Sequence, residues 1–305
     1  MKPSKCRQRL AATILAAQLF AINETHADEV DEFTLLLYEG YAETFIQGTD
    51  DIVRYQIVDG LAIMEGDIVL GEHEHVQTYG IPGFTVNSPP PAEADESGEF
   101  RSLWPNGKVP YAIDDDLPHG YIDDIKTAIR WIESAANVHF VEHTTENDYV
   151  EFYRGSGCNS MVGRNGGEQH ISLGSMGCAK PGVIAHELLH TLGFWHEQSR
   201  ADRNQYITVN WSNVQSGTEY NFQKASEPTT ADNPRPYDYT SIMHYRYSAF
   251  SANGLPTITA KDPDVDHTLI GQREHLSKLD KSNLVKLYGS KKSGDDVKLS
   301  SASGT

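Results

Sequence analysis

Basic residues are scarce in this chain. Its 305 residues include 25 Lys and Arg against 43 Asp and Glu, which gives a formal net charge of -18 at pH 7. A surface this acidic repels phosphate backbones and anionic lipid headgroups. We therefore expect neither nucleic acid nor a membrane among the partners of the protein.

Long apolar runs are scarce as well. The most apolar stretch covers residues 10–22, basic residues such as Lys2 and Arg9 precede it, and the small residue Ala27 follows. This order is typical of a secretory signal peptide, although an amphipathic helix in the cytosol would share part of the pattern. The run is too short to cross a membrane. We predict a signal peptide over residues 1–27 and a secreted, soluble protein.

Cysteine is also rare, with three residues in the whole chain. Cys6 lies in the predicted signal peptide and would be lost with it. Cys158 and Cys178 then remain as an even pair in an exported chain, which favours a disulfide between them. In the chain-entropy model, closing a loop of this length stabilises a protein by about 3 kcal/mol.

A histidine cluster stands out against this background. The residues that match the spacing H-E-x-x-H-x-x-G-x-x-H are His186, Glu187, His190, Gly193 and His196. In a helix the first two histidines lie about 40° apart on one face, so both imidazoles reach one metal ion. The glycine permits a left-handed turn that ends the helix and returns the third histidine. Three nitrogen ligands leave one position of a zinc ion for water, as in catalytic sites.

The glutamate of this motif is placed to act as a general base. Zinc lowers the pKa of bound water to about 7 and polarises a carbonyl, and Glu187 can take the proton and pass it on. This chemistry fits amide hydrolysis. Two alternatives remain open: a buried amphipathic helix with incidental histidines, and a secreted binding protein with structural zinc. An intact Glu187 disfavours the second, because a structural site needs no base.

A second motif makes the pattern specific. Residues 241–245 read S-I-M-H-Y, the kind of methionine-containing turn found in metzincin proteases. Together with the histidine motif, and with W-P-N-G-K-V-P-Y at 104–111 and I-G-Q-R at 270–273, this turn resembles the astacin family of zinc endopeptidases. The resemblance covers roughly residues 100–290. Other zinc peptidase clans with H-E-x-x-H take a distant glutamate as third ligand, so His196 and the turn argue against them.

The astacin resemblance implies a fold, a cofactor and partners. We expect an α+β, two-lobed metzincin domain with a twisted mixed sheet above the active-site helix, preceded by a propeptide. One zinc ion per chain would be held by His186, His190 and His196. The expected partners are protein or peptide substrates, and we expect the enzyme to be a monomer.

The resemblance also implies roles for single residues. Tyr245 is expected to stabilise the oxyanion of the tetrahedral intermediate, and Met243 to form an apolar floor beneath the zinc ligands. Glu197 is expected to contact the N-terminus of the mature enzyme. The family has a bridge that matches Cys158 and Cys178. Its second bridge is replaced here by Asn137 and Ser290, which leaves the attachment of the C-terminal end in question.

The composition changes upstream of the region that resembles astacins. We predict a propeptide over 28–98, whose end is rich in Pro, Ala and acidic residues and forms a linker to the catalytic domain at 99–290. The segment M-E-G-D-I at 64–68 is similar to the family's F-x-G-D motif, so Asp67 is the expected zinc ligand of the zymogen. Taken alone, E-G-D also fits an ordinary turn. Residues 291–305 have almost no apolar content and are predicted to be a disordered tail.

Periodicity predicts the main elements of the catalytic region. Isoleucines at 122, 125, 129 and 132 indicate an amphipathic helix, and strands are expected at 109–113, 138–142, 149–153 and 169–173. By the resemblance, the last strand borders the cleft, where an extended substrate would pair with its edge. Arg164 is either a selector of acidic substrate residues or a surface arginine.

Overall fold

The computed structural model describes residues 40–47, 51–81, 103–224 and 236–291. These residues belong to one compact unit that spans 31–305. The predicted signal peptide, the acidic linker and the tail beyond residue 291 lie outside the described residues. Within the described part, no helix is both long enough and apolar enough to cross a bilayer.

The described part of the chain contains eleven strands and four α-helices. The strands are β1 (Gly40–Phe45), β2 (Ile52–Val58), β3 (Leu61–Met64), β4 (Ile68–Glu72), β5 (Lys108–Ile113), β6 (His139–Glu142), β7 (Tyr149–Tyr153), β8 (Cys158–Met161), β9 (Glu168–Leu173), β10 (Ile207–Val209) and β11 (Ile258–Ala260). The helices are α1 (His73–Tyr79), α2 (Gly120–Ala135), α3 (Pro181–Thr191) and α4 (Lys278–Tyr288). Several one-turn 3₁₀ helices lie between them.

Nine of the described strands form one mixed sheet in the order β1-β2-β3-β4-β8-β9-β7-β5-β6. The strands β6, β5, β7 and β9 run parallel, and β8 is antiparallel to β9. The upstream strands β1 to β4 form an antiparallel meander, and β4 joins β8 in parallel register through Ile68 and Ser160. The upstream segment therefore continues the sheet of the catalytic region.

Two cores fill the catalytic region, as expected for a two-lobed α+β domain. In the first, α2 buries Ile125, Ile129 and Ile132 among the other residues that cover the sheet. In the second, aromatic residues such as Phe222 and Tyr245 surround the strand pair of β10 and β11. The isoleucine spacing thus predicted α2 correctly.

The helix α3 is buried along almost its whole length. Pro181 occupies its first turn, where a missing N–H costs nothing and a fixed φ favours the helix. Gly182 packs so closely that an added Cβ would lie 1.6 Å from the carbonyl oxygen of Arg273. A side chain at this position would push α3 away from the segment that it packs against.

The C-terminal helix α4 packs back on the first core through Leu284 and Tyr288. The phenol of Tyr288 donates to the carbonyl of Leu192 at 2.9 Å. At the place of the missing family bridge, the Asn137 N–H donates to the carbonyl of Gly289 at 2.9 Å. Packing and hydrogen bonds therefore hold this end of the domain without the second disulfide.

The upstream segment has a small core of its own. Val53, Tyr55, Ile68 and Val76 are buried in it, together with Val162 of the catalytic region. The hydroxyl of Thr44 donates to the carbonyl of Val76 at 2.6 Å and so links β1 to α1. This core shows why the meander keeps its form next to the catalytic sheet.

One expectation about the sheet is wrong. The strand predicted at 169–173 corresponds to β9, but β9 lies between β7 and β8 and has no free edge. Within the catalytic region the outermost strand is β8, whose edge is covered by β4 of the upstream segment. The sequence did not predict β8 because the strand is short and carries polar Asn159 and Ser160. These side chains are buried because β4 and β9 flank the strand.

Candidate metal centre and active site

A left-handed turn after α3 brings the three histidines together. His186 and His190 lie one turn apart on α3, and Gly193 has a φ of 100°, which residues with a Cβ avoid. The N–H of Phe194 donates to the carbonyl of Leu189 at 3.0 Å and closes the turn. The ring of His196 then lies 5.2 Å from that of His186 and 4.8 Å from that of His190, centroid to centroid.

The Nε2 atoms of the three histidines face one another. His186 Nε2 lies 3.1 Å from His190 Nε2 and 3.2 Å from His196 Nε2. Each Nδ1 donates to an oxygen: His186 to the Ile242 carbonyl at 2.7 Å, His190 to the Phe194 carbonyl at 2.9 Å and His196 to Glu65 Oε2 at 2.6 Å. With Nδ1 as the donor, the Nε2 of each ring carries a lone pair when that ring is neutral, and the three Nε2 atoms point to one place.

Asp67 enters this place from the upstream segment. Its Oδ2 lies 3.0 Å from His186 Nε2 and 3.2 Å from His196 Nε2, and its Oδ1 lies 3.8 Å from His190 Nε2. Glu65 and Gly66 have φ of 51° and 82°, and this turn directs the chain toward the three histidines. The Ser160 N–H donates to the carbonyl of Asp67 at 2.9 Å. The pairing of β4 with β8 therefore fixes how far Asp67 reaches toward the three histidines.

Burial and the two carboxylates decide the charge of the cluster. Burial lowers the pKa of His186 and of His190, which favours their neutral forms. Burial also opposes a charge on His196, but Asp67 and Glu65 outweigh it and raise the pKa of His196 to about 9. Burial alone would raise the pKa of Asp67, and the histidines hold it well below its usual range. The cluster therefore favours a positive charge among the rings.

The donor set fits a zinc ion. Imidazole nitrogens and carboxylate oxygens are zinc ligands, and tetrahedral Zn–N bonds of about 2.0–2.1 Å separate two nitrogens by about 3.3 Å. The observed Nε2 separations of 3.1 and 3.2 Å are close to this value. Among the described residues, no hydrogen bond reaches the buried Oδ1 of Asp67, so a cation would compensate it. His186, His190, His196 and Asp67 form a buried group that could bind one metal ion.

Buried side chains surround the cluster. Glu187 follows His186 on α3 and is 1% exposed. The ring of Tyr245 lies 5.0 Å from that of His196, and its phenol donates to the carbonyl of Glu65 at 2.6 Å. Met243 lies in the first core, and its carbonyl accepts from the N–H of Glu197 at 2.9 Å.

The carboxylate of Glu197 is buried next to the third histidine. Its Oε1 accepts from Arg200 Nη1 at 3.0 Å and from the N–H of Asp238 at 2.8 Å. A guanidinium and a backbone N–H thus satisfy this buried oxygen. Glu197 thus connects the histidine segment to the chain that precedes the methionine turn.

The comparisons with known proteins agree with this geometry. The family model described as astacin, peptidase family M12A, matches residues 97–289. This chain belongs to the astacin family.

Among its relatives in that family, zinc metalloproteinase nas-15 of Caenorhabditis elegans is 42% identical over 188 residues, which make up 61% of this chain and 32% of the relative. Meprin A subunit beta of Rattus norvegicus is 34% identical over 263 residues, or 84% of this chain and 34% of the relative. The chain thus spans about a third of the length of these two relatives. A solved astacin structure, the hatching-enzyme zinc-protease high choriolytic enzyme 1 of Oryzias latipes, is 38% identical and matches with a TM-score of 0.57. That match covers 65% of this chain and 98% of the other.

The structure of this astacin places most of the singled-out residues at one site. The three histidines, Glu187, Asp67 and Tyr245 gather there, and Met243 and Glu197 lie directly behind them. Cys158 and Cys178 form a disulfide that closes the loop between β8 and α3. Arg164 forms an ion pair with Asp148, so part of its guanidinium is engaged by the chain itself.

Glu65 lies at the site although the sequence did not predict a role for it. Its Oε2 accepts from His196 Nδ1 at 2.6 Å and from the hydroxyl of Ser199 at 2.7 Å, while its carbonyl accepts from Tyr245. The histidine lies 131 positions further along the chain, so no local pattern connects the two residues. The available signal was a second acidic residue in the segment M-E-G-D, two positions before Asp67.

Proposed function

We propose that this chain is a zinc-dependent endopeptidase, secreted as an inactive zymogen. The observation that carries this proposal is the convergence of three histidine Nε2 atoms next to the buried Glu187. Membership of a peptidase family supports the same conclusion. The substrates are proteins or peptides, as membership of a peptidase family supports. Once β4 has left, the edge of β8 could pair with an extended substrate backbone.

The proposal divides the chain into four parts. Residues 1–27 are the signal peptide, 28–98 the propeptide with its linker, 99–290 the catalytic domain and 291–305 a tail. The alignment with meprin A subunit beta supports a relationship that extends upstream, since its 263 residues exceed the region that the family model matches. The signal peptide makes the enzyme extracellular, and we propose that it acts as a monomer.

In the proposed mechanism, each residue of the site has a separate task. His186, His190 and His196 would hold a zinc ion, and a bound zinc would lower the pKa of a water and polarise the scissile carbonyl. Glu187 accepts the proton of the attacking water and transfers it to the leaving nitrogen. The phenol of Tyr245 donates a hydrogen bond to the oxyanion, and one such donor contributes about 3 kcal/mol to transition-state stabilisation.

Residues 65–69 keep this machinery inactive in the zymogen. The carboxylate of Asp67 takes the position that the attacking water requires. The carbonyl of Glu65 accepts the phenol of Tyr245, so the oxyanion donor is engaged as well. The strand β4 covers the edge of β8, where a substrate backbone would otherwise pair. Removal of the propeptide releases all three groups together.

Hydrolysis of casein by the secreted product tests the endopeptidase proposal. After removal of the propeptide, wild type should cut casein, whereas Glu187→Ala should bind about one zinc ion per chain and fail to cut. The expected loss in rate is at least 10²-fold, the lower end for removing a general base. Zinc content is measured on both proteins.

Glu274→Ala serves as the matched control, because Glu274 is an exposed glutamate outside the site. It should cut casein as wild type does. If wild type retains zinc and has lost its propeptide but cuts nothing, a binding protein with structural zinc becomes the better description.

A further inference from the structure

The β1–β2 hairpin contacts the catalytic domain at Tyr220. The guanidinium carbon of Arg54 lies 5.6 Å from the ring centroid of Tyr220 and 5.5 Å from that of Tyr41. The two rings meet edge to face, with centroids 5.2 Å apart and planes at 73°. A cation of the upstream segment is thus held between one of its own tyrosines and a tyrosine of the catalytic domain.

This contact borders an open cavity of about 520 Å³. The hairpin contributes Glu43, Ile52 and Arg54 to its lining. The catalytic domain contributes Trp211, Glu219, Tyr220 and Gln223. Trp211 is 53% exposed, whereas Tyr220 is 8% exposed because the hairpin covers it. When the propeptide leaves, Tyr220 becomes accessible beside Trp211 and Glu219, which are already exposed.

The catalytic side of the cavity is fixed relative to the active site. Tyr220 belongs to a 3₁₀ turn, Glu219–Phe222, that ends in the fully buried Phe222. The ring of Phe222 packs edge to face on Tyr245 at 5.7 Å, and its carbonyl accepts a hydrogen bond from Arg203. The lining of the cavity is therefore connected to the proposed oxyanion donor through the buried ring of Phe222.

The catalytic-domain residues that line the cavity suit a basic side chain. Aromatic faces attract a guanidinium or ammonium group through their quadrupole, and the carboxylate of Glu219 adds a full negative charge. The net charge of -18 favours a cation here as well. Arg54 already occupies this environment in the zymogen.

We propose that Trp211, Glu219, Tyr220 and Gln223 form a substrate subsite for an arginine or lysine side chain, and that Arg54 holds this subsite until activation. The subsite rests on the endopeptidase function proposed above. It adds a preference for a basic residue on one side of the scissile bond. The competing description is a contact that anchors the propeptide and has no role afterwards.

Paired peptides test the subsite on the activated enzyme. One series carries arginine at successive positions around the scissile bond, and the other carries citrulline, which has nearly the same shape without the charge. At one position, arginine should raise kcat/KM about 2- to 30-fold over citrulline, the range of a cation–π contact. Tyr220→Ala should bring this ratio close to one, whereas Tyr220→Phe retains the ring face and the ratio.

Glu219→Gln provides a second variant, because Glu219 is exposed and its substitution leaves the buried turn in place. It should lower the arginine-to-citrulline ratio by a smaller factor. A ratio of one at every position in wild type overturns the proposal, as does an unchanged ratio in Tyr220→Ala. Either result would leave Arg54 as an anchor only.

A binding measurement separates this proposal from the endopeptidase proposal. The same peptides are titrated into activated Glu187→Ala protein, and affinity is followed by peptide fluorescence. The subsite is supported if the arginine peptide binds more tightly than the citrulline peptide and the double variant Glu187→Ala, Tyr220→Ala loses this difference. This result would hold even if wild type cuts nothing. Equal binding of both peptides contradicts the subsite, whatever the activity on casein.

Discussion

Glu65 and Asp67 contact opposite nitrogens of the same imidazole. Asp67 lies against Nε2 of His196, and Glu65 accepts from its Nδ1. A carboxylate behind a metal-binding histidine fixes the ring and makes it a stronger ligand. The upstream segment is therefore expected to strengthen the metal site of the zymogen while it blocks the reaction.

Glu65→Gln tests this effect on the metal site. The glutamine retains the shape but loses the charge, so zinc affinity of the full chain should fall by about 10-fold or more. Competition with a fluorescent chelator measures the affinity directly. Ser199→Ala is the control, since it removes another hydrogen bond to the same carboxylate. If Glu65→Gln binds zinc as tightly as wild type, Glu65 contributes to packing and not to the metal site.

His244 makes stability depend on pH at the scale of one side chain. Burial lowers its pKa to about 3, against about 6.5 in an unfolded chain. Between these values, the unfolded state binds a proton that the folded state excludes. The free energy of unfolding therefore falls as pH decreases from about 6.5 to about 3, by about 1.4 kcal/mol per pH unit. Above pH 6.5 this residue adds no pH dependence.

Denaturant unfolding at a series of pH values checks this prediction. His244→Gln should reduce the slope of stability against pH, because the variant cannot bind the additional proton when unfolded. His275→Gln controls for the loss of an exposed histidine. A slope that is the same in wild type and His244→Gln would assign the acid sensitivity to other groups.

At the scale of elements, the cap of α4 supports the metal site. Asp280 accepts from Ser241 Oγ at 2.6 Å, from the N–H of Ile242 at 3.0 Å and from the N–H of Ser277 at 2.9 Å. The carbonyl of Ile242 in turn accepts from His186 Nδ1. One buried carboxylate thus fixes both the start of a helix and the turn that orients a histidine.

Asp280→Ala should lower both stability and zinc affinity. Losing hydrogen bonds of a buried carboxylate should cost about 3 kcal/mol in the free energy of unfolding. Zinc affinity should fall by about 10-fold, as for other partners that orient a ligand. Asp266→Ala removes a comparable but exposed cap, that of the turn His267–Leu269, and should leave zinc affinity unchanged. Urea unfolding measures the stability, and chelator competition measures the zinc affinity. A loss of stability without a loss of zinc affinity would show that the cap of α4 does not support the metal site.

The elements also show which features the sequence determines locally. The helix α2 and the spacing of His186 and His190 follow from periodicity within a few turns, so both were predicted. The strand β8 was missed because its burial depends on β4 and β9, not on its own residues. Glu65 and the Arg54–Tyr220 contact connect distant segments, and periodicity has no information about such pairs.

At the scale of the whole molecule, a single cut in the linker should not separate the propeptide. The hairpin contact at Arg54, the small core around Tyr55 and the pairing of β4 with β8 all persist after cleavage. The two pieces should therefore co-elute in gel filtration directly after the cut. Casein hydrolysis should appear only after dilution or further proteolysis of the propeptide.

Arg54→Ala should accelerate this release, because the hairpin loses its contact with Tyr220. Lys108→Ala, which removes an exposed ion pair far along the chain, provides the comparison. Full activity at the moment of the first cut, with separate elution of the pieces, would contradict persistent inhibition.

The disulfide pattern has a consequence for the environments that the enzyme tolerates. In the described part of the chain, one cystine closes a loop of sequence separation 20, and hydrogen bonds such as that from Asn137 to Gly289 hold the distant ends. Thiols that reduce this bond would loosen that loop and leave the hydrogen bond from Asn137 to Gly289 in place. Within the described residues, the fold thus relies on oxidising surroundings at this one loop.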